Sequence, residues 1–274
     1  GSKVALITTQ GFRDIQEIGT ELRYDTYDLF MEMPVPLVTR RWRYEVSERI
    51  RADGQIITAL DESSVVEVAR AIASSDVDAV AVSLLHSYQN PSHERRIREI
   101  LKQEAPNAIV CISSDVMPEI GEYERTSTTI CNAYVLPTFT RYLARLTRRF
   151  HEMGIDKELY LMLSDGGTVH ESTAAIYPIR LVQSGPAGGV QAAAAINKVV
   201  ADGDSQGDIL CFDMGGTTAK ACLVEDGNPM HANEFEVARI FRGKKGSGIP
   251  LKIPVIDMIE IGAGGGSIAH LDNL

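Results

Sequence analysis

The stretch ILCFDMGGTTAKACLVEDG, residues 209–227, decides the fold that we expect for this chain. An apolar run at 209–212 ends in Asp213, two glycines and two threonines follow, and apolar residues resume at 221–224. Two apolar segments joined by a short glycine-containing turn are typical of a β-hairpin. The sequence therefore predicts a strand, a tight glycine turn and a second strand, with a further turn at 225–227.

The turn of this predicted hairpin carries groups that bind phosphate. Gly215 and Gly216 let backbone amides approach a phosphate without interference from a Cβ atom, and successive amides form a concave anion site. Thr217 and Thr218 add hydroxyls, and Asp213 supplies a carboxylate of the kind that binds hydrated Mg²⁺. An ordinary Gly-Gly hairpin turn is the simpler interpretation. The order Asp, Gly, Gly, Thr, Thr at the end of an apolar strand favours nucleotide binding by these five residues.

The composition favours a globular enzyme and argues against two other classes of protein. Of the 274 residues, 44% are hydrophobic and 23% are charged, which is typical of a folded chain. A net charge of −10 does not favour a nucleic-acid partner. No apolar run approaches the roughly 20 residues that a membrane-spanning helix needs, so we expect no membrane partner. The four cysteines are widely spaced and form no CxxC pair, which predicts reduced thiols and a cytoplasmic location.

Strand and helix patterns alternate before the glycine hairpin, which predicts an α/β fold. The apolar runs at 79–85 and 108–113 are typical of strands buried on both faces of a parallel sheet. The amphipathic segments at 61–75 and 91–105 have the spacing of helices. A strand, a helix and a second strand in this order indicate parallel pairing with the helix as the crossover.

The polar segment at 201–207, which contains two glycines, is the best candidate for a linker. We therefore expect a first domain over residues 3–203 and the beginning of a second, nucleotide-binding domain over residues 204–274. Within the first domain, a helix over 126–153 is expected to kink or break at Pro137, because proline cannot donate the helical hydrogen bond.

Two further glycine-containing segments are candidate functional loops. Asp165 lies in the sequence Ser-Asp-Gly-Gly after an apolar strand, and open α/β sheets place their ligands at the carboxyl ends of strands. A catalytic role for Asp165 and a simple turn are equally compatible with this pattern. Gly264, Gly265 and Gly266 are candidates for a second nucleotide-binding loop. A run of glycines also serves where two backbones must touch, so both interpretations are kept.

Six blocks of the sequence resemble the hydantoinase A and 5-oxoprolinase family, which includes subunits of acetone and acetophenone carboxylases. The resemblance runs over nearly the whole chain, and six ordered blocks are more specific than any single glycine loop. The matching blocks are ALITTQGFRDIQEIG (5–19), VSLLHSYQNPSHERR (82–96), SSDVMPEIGEYERTSTTICNAYVLP (113–137), LVQSGPAGGVQAAA (181–194), FDMGGTTAKACLVEDG (212–227) and IEIGAGGGSIA (259–269).

The resemblance implies an actin-like ATPase fold, also described as ribonuclease H-like, in which two related α/β domains enclose a nucleotide cleft. Each domain of such a protein supplies one phosphate-binding hairpin. The segment 213–218 corresponds to the second hairpin, and the segment 184–200 corresponds to the hinge helix before it. The first hairpin and the later part of the second domain have no counterpart in this sequence. We therefore expect a fragment that holds part of a nucleotide site and does not turn over by itself.

The activity implied by the resemblance is ATP-dependent opening of a cyclic amide, such as a hydantoin or 5-oxoproline. Phosphorylation of the amide oxygen activates the carbonyl carbon for attack by water. The resemblance also implies ATP and Mg²⁺ as cofactors, catalytic and metal-binding roles for Asp213, and a partner hydrolase of the hydantoinase B type, either a separate subunit or a fused domain. A ketone carboxylase subunit and a non-catalytic ATPase-fold module are the alternatives.

Overall fold

The computed structural model describes residues 1–21, 23–200, 207–241, 243–268 and 270–271, and it has mixed α/β architecture with a parallel sheet. The strands are β1 (Val4–Thr9), β2 (Arg43–Val46), β3 (Arg49–Ile50), β4 (Ile56–Thr58), β5 (Ala79–Ser83), β6 (Ile109–Ile112), β7 (Tyr160–Met162), β8 (Thr168–His170), β9 (Ile209–Met214), β10 (Ala219–Glu225), β11 (Asn228–Pro229), β12 (His231–Ala232), β13 (Phe235–Val237), β14 (Ile249–Leu251), β15 (Val255–Ile256) and β16 (Ile259–Ile261). The helices are α1 (Ile15–Ile18), α2 (Glu62–Ala73), α3 (Ser92–Glu104), α4 (Ser113–Val116), α5 (Glu122–Glu152), α6 (Glu171–Ala174) and α7 (Ser184–Val200), with short 3₁₀ turns at Arg40–Trp42 and Pro178–Leu181.

Four strands form the parallel sheet, in the order β2-β1-β5-β6. All residues of β1 and β5 are buried, as the continuous apolar runs of these two segments require. The helices α2 and α3 follow the predicted segments closely. The Asp61 carboxylate accepts hydrogen bonds from the amides of Ser63 and Ser64, at 3.1 and 3.4 Å, and so caps the start of α2.

The parallel sheet is covered by helices on both faces. Ala5 and Ile7 of β1 pack in one core with side chains of α2 and α3. Val4 and Leu6 point to the opposite face, where their core includes side chains of α5 such as Ile130. This alternation follows from the period of two along a strand, and it makes β1 the centre of two hydrophobic clusters.

Helix α5 is longer than the sequence predicts, and it continues through Pro137 without a break. It begins at Glu122, next to a completely buried Arg125. The Arg125 guanidinium donates to the Glu122 carboxylate at 2.9 Å and to the carbonyl oxygen of Leu84 at 2.8 Å. These hydrogen bonds fasten the start of α5 to the loop that follows β5.

A smaller antiparallel sheet contains the predicted glycine hairpin. Strand β10 pairs with β9 along one edge and with β16 and β11 along the other. Helix α7 lies on one face of this sheet, where Ala187, Val190 and Ala194 pack in a core with Cys222 and Val224. The hydrophobic contact between α7 and the hairpin fixes the position of both elements.

The division into domains at residue 203 stays a prediction. The predicted linker at 201–207 lies outside the described residues except for Gly207. Contacts cross the predicted boundary in both directions: α7 packs on the hairpin sheet, whereas Leu251 and Val255 belong to the core beneath α5. The amide of Lys252 also donates to the Thr128 hydroxyl at 3.0 Å.

Candidate functional site

The glycine hairpin has the strand–turn–strand form that the sequence predicts. Strands β9 and β10 pair in register from Ile209 opposite Val224 to Met214 opposite Ala219. The four residues 215–218 form the turn, which is closed by a hydrogen bond from the Gly215 amide to the Thr218 carbonyl at 2.9 Å. The turn is exposed at residues 215–217 and half-buried at Thr218.

The backbone amides of this turn differ in their availability. The Gly215 amide is already engaged in closing the turn. The amides of Gly216, Thr217 and Thr218 donate no hydrogen bond to any group in the described part of the chain. Three successive amides of the turn are therefore available to an acceptor, whereas the Gly215 amide is engaged, and anion binding by these amides stays a prediction.

The second glycine loop contacts the first. The Gly265 amide donates to the carbonyl of Gly215 at 2.9 Å. Gly264 is buried, and a Cβ atom added there would lie 2.5–2.6 Å from backbone atoms of Gly216 and Thr217. Such distances are too short for any side chain, so Gly264 is required for the two backbones to touch. Of the two interpretations of this loop, the close backbone approach is observed for Gly264 and Gly265. Nucleotide binding by them and by the exposed Gly266 stays a prediction.

A lysine that sequence reasoning missed lies opposite Asp213. Lys220 is the register partner of Asp213 across the hairpin, so the two side chains share one face of the sheet. The Lys220 ammonium donates to the Thr218 hydroxyl at 3.1 Å and lies 3.4 Å from the Glu260 carboxylate. The sequence did contain a signal for this lysine, because Lys220 is the one charged residue in the otherwise apolar segment AKACLV at 219–224.

The face that carries Asp213 and Lys220 borders a cavity of about 270 Å³ beneath α7. Helix α7 contributes small residues to the wall, among them Pro186, Gly189 and Ala193, and the absence of long side chains there leaves the space open. A negative and a positive side chain therefore line one cavity beside a turn with free amides. Such an arrangement can bind a metal–phosphate group through both of its charges.

The four cysteines are free thiols, as predicted. Burial raises the pKa of Cys111 to about 11 and the pKa of Cys131 to about 12. Burial also raises the pKa of Cys211 and of Cys222, which line the cavity under α7. Burial therefore disfavours the thiolate form of all four cysteines.

Asp165 lies in a setting different from the one its sequence suggested. The strand before it, β7, is a partly exposed member of a two-stranded hairpin with β8, and it is not part of the parallel sheet. The Asp165 carboxylate accepts a hydrogen bond from the Gly167 amide at 2.8 Å, which stabilises the turn. The argument from strand ends thus fails for this residue. The turn is observed, and a catalytic role for Asp165 stays a prediction.

Asp213 is the residue for which the sequence predicts magnesium binding, and that role stays a prediction. No group of three or more His, Cys, Asp or Glu residues could hold a metal within the described ranges. Mg²⁺ needs no such cluster, because it commonly binds one or two carboxylates together with water and phosphate oxygens. The exposed Asp213 carboxylate beside a phosphate-binding turn fits that mode.

Family models match the chain on both sides of residue 110. The N-terminal region of the hydantoinase/oxoprolinase model matches residues 1–105, and the hydantoinase/oxoprolinase model itself matches residues 125–274. The chain belongs to the hydantoinase/oxoprolinase family. The predicted fold class, an incomplete actin-like ATPase fold of α/β type, is confirmed with it.

The chain is similar to one uncharacterized protein and to two proteins of known structure. The chain is 45% identical to an uncharacterized protein of Methanocaldococcus jannaschii over 98% of this chain and 40% of that protein. A nucleotide-free acetone carboxylase structure, from a study of ATP-dependent acetone carboxylation, matches with a TM-score of 0.81 and 30% identity, over 100% of this chain and 38% of that one. The ATP-dependent caprolactamase of Pseudomonas jessenii matches with a TM-score of 0.79 and 32% identity over the same shares. The chain thus spans about two fifths of the length of these relatives.

None of the helices in the described part of the chain combines the length and the apolar character needed to cross a membrane.

Proposed function

We propose that this chain supplies one side of the nucleotide site of an enzyme that uses ATP to open a cyclic amide. The observation that carries this proposal is the pairing of Asp213 with Lys220 across a hairpin whose turn has free backbone amides. One hairpin then carries three kinds of group: a carboxylate for the cation, an ammonium for the phosphate, and amides for the phosphate oxygens. Family membership and the ATP-dependent caprolactamase relative support the same function.

Each residue of the hairpin has a separate task in this proposal. Asp213 would hold Mg²⁺ through water, and a cation bound there would supply positive charge next to the nucleotide phosphates. The amides of Gly216, Thr217 and Thr218 donate to oxygens of the terminal phosphate. Lys220 stabilises the negative charge that spreads over those oxygens during transfer. The main contribution of the protein to phosphoryl transfer is such positioning and charge neutralisation, so no nucleophilic side chain is required.

The chemistry of the substrate explains why ATP is needed. Resonance protects the carbonyl of an unstrained cyclic amide against attack by water. The amide oxygen instead attacks the terminal phosphorus of ATP, and ADP leaves. Water then adds to the activated carbon, and the ring opens when its C–N bond breaks and the nitrogen leaves as a protonated amine, which gives an acyl phosphate. A second water hydrolyses the acyl phosphate to a carboxylate and inorganic phosphate. A partner hydrolase of the hydantoinase B type, which we propose for the second half of the reaction, would be consistent with relatives that are named as subunits.

A ketone carboxylase subunit is the second candidate function. The match to acetone carboxylase, with a TM-score of 0.81, supports it about as strongly as the match to caprolactamase, with a TM-score of 0.79, supports the first. The same hairpin would then direct phosphorylation of an enolate oxygen, and bicarbonate would be the co-substrate. The two functions differ in the acceptor and agree on the roles of Asp213 and Lys220.

The test is phosphate release from ATP by the full-length protein with its partner subunit. We expect release when a cyclic amide is added, and no release with acetone and bicarbonate alone. Asp213→Ala should abolish turnover without lowering the melting temperature, because Asp213 is exposed. Glu225→Ala, which removes an exposed carboxylate from the far end of β10, is the matched control and should retain turnover. Wild-type turnover in the Asp213 variant would refute the proposal, and turnover with the ketone alone would favour the carboxylase.

A further inference from the structure

A second and larger cavity of about 380 Å³ lies beside the hairpin sheet. Its walls come from three segments: the residues before α7, strand β13 with the turn after it, and the chain from β15 to β16. The described lining residues are Val182, Gln183, Glu234, Phe235, Glu236, Val237, Ala238, Arg239, Val255, Ile256, Asp257, Met258 and Glu260. We call this space the acceptor cavity.

A chain of polar contacts joins the acceptor cavity to the phosphate-binding turn. The side-chain amide of Gln183 donates to one carboxylate oxygen of Glu260 at 3.2 Å, and the other carboxylate oxygen lies 3.4 Å from the Lys220 ammonium. Lys220 in turn donates to the Thr218 hydroxyl. Met258 lines both the acceptor cavity and the cavity under α7. Glu260 and Gln183 of the acceptor cavity are therefore linked by direct contacts to Lys220 and Thr218 beside the turn, and Met258 is a wall common to both cavities.

The backbone around the acceptor cavity is strained at two positions. Gln183 and Ala238 have φ angles of 62° and 53°, a conformation that residues with a Cβ atom rarely adopt. Both residues line the cavity. Strained conformations of this kind persist where the surrounding structure enforces them, and they cluster at ligand sites. They are an observation independent of the polar contacts.

The lining determines which ligands fit. Apolar side chains such as Phe235, Val237 and Met258 suit the carbon atoms of a small ring. Four carboxylates line the cavity, those of Glu234, Glu236, Asp257 and Glu260, against the single guanidinium of Arg239 among the described lining residues. Because Arg239 is bonded to Glu236 at 3.0 Å, the remaining polar surface is mainly hydrogen-bond acceptor and negative. It can accept from an N–H group, and it repels an anion.

We propose that the acceptor cavity binds the amide to be phosphorylated and selects uncharged rings over rings that carry a carboxylate. The ring N–H donates to a carboxylate of the cavity, and the amide oxygen faces Lys220. This inference rests on the proposed function, which supplies the cyclic amide as the group to be phosphorylated. It goes beyond that function because it assigns the site and excludes an anionic substrate such as 5-oxoproline.

The test compares two ligands that differ in charge and hardly in size, 5-oxoproline and its primary amide. Their binding to the full-length protein is measured without nucleotide by ligand-observed saturation-transfer NMR at neutral pH. We expect the uncharged amide to bind about tenfold more tightly, the scale of repulsion between partly screened charges several ångströms apart. The double variant Glu234→Gln with Asp257→Asn should bring the two affinities closer together. Both side chains are exposed, so the variant should fold normally.

Glu225→Gln is the matched control, because it removes an exposed carboxylate that does not line the acceptor cavity. It should keep the wild-type ratio of affinities. Equal binding of the two ligands, no binding of either, or a ratio that the double variant leaves unchanged would overturn the proposal. The outcome is separable from that of the proposed function. Charge-selective ring binding without ATP turnover would support the proposed role of the acceptor cavity and refute the proposed phosphorylation. Amide-dependent turnover with no charge preference would support the phosphorylation and refute the role of the acceptor cavity.

Discussion

The parallel sheet and the hairpin sheet of this protein are covered differently. Every residue of β1 is buried, because helices lie on both faces of the parallel sheet. The hairpin sheet has α7 on one face, and its other face exposes large apolar side chains such as Leu210 at 70%, Phe212 at 60% and Ile259 at 74%. Hydrophobic burial on both faces therefore holds the first sheet in place. The site on the second depends on α7 and on a few specific contacts at the turn.

Loss of the Lys220 charge should have the largest effect, and it should act on activity alone. In Lys220→Met, ATP turnover by the full-length protein should fall by about 100- to 1,000-fold, the usual result of removing one group that stabilises transition-state charge. The melting temperature should change little, because the pair with Glu260 is partly exposed. Lys198→Met, at an exposed position of α7, is the control. A large fall in stability with turnover preserved would show that Lys220 is structural.

The two sheets should respond differently to the same substitution. Leu6→Ala removes a completely buried side chain from β1 and should lower the free energy of unfolding by about 3 kcal/mol. Leu210→Ala removes a mostly exposed side chain from β9, and its effect should stay within about 0.5 kcal/mol. Urea denaturation of both variants measures the difference. Equal losses in the free energy of unfolding would mean that the face of the hairpin sheet with Leu210 is buried in the full-length protein and would contradict the comparison.

The contact between the two glycine loops gives the third and smallest expected effect. Gly264→Ala places a methyl group against the backbone of Gly216 and Thr217, so we expect about 1–2 kcal/mol of destabilisation from overpacking, together with weaker nucleotide binding. Gly243→Ala is the control, because Gly243 is exposed, lies outside both glycine loops, and a Cβ atom there meets no atom within 4 Å. Thermal unfolding and nucleotide titration of both variants are the measurements. Indistinguishable variants would contradict a role for the Gly264 contact in shaping the turn.

The sequence predicted those features that depend on neighbouring residues. Apolar periodicity and turn chemistry are local, so the hairpin at 209–227 and the alternation of strands and helices could be found without coordinates. The continuation of α5 through Pro137 could not, because Ala133 and Leu136 on that helix pack into the core and override the local preference. The turn at Asp165 also depends on a partner, since only pairing with β8 distinguishes a hairpin strand from a sheet strand.

The composition of the site shows the same limit. Asp213 and the turn amides could be predicted because they are consecutive in the sequence. Glu260 could not be linked to Lys220, since the contact joins residues on β16 and β10 that only the fold brings together. The wall of the acceptor cavity likewise combines the segments 182–183, 234–239 and 255–260, which only the fold brings together. The sequence alone predicted the functional groups of a single loop, whereas groups brought together from several elements could be identified only in the structure.

The central claim is that the turn after Asp213 binds the phosphates of ATP, and amide chemical shifts test it most directly. In ¹⁵N-labelled full-length protein, addition of Mg²⁺ and a non-hydrolysable ATP analogue should shift the amides of Gly216, Thr217 and Thr218 strongly. The Gly215 amide, which is already bonded to Thr218, should shift less. Asp213→Ala should remove these shifts. Nucleotide binding that leaves all four amides unchanged would contradict the account.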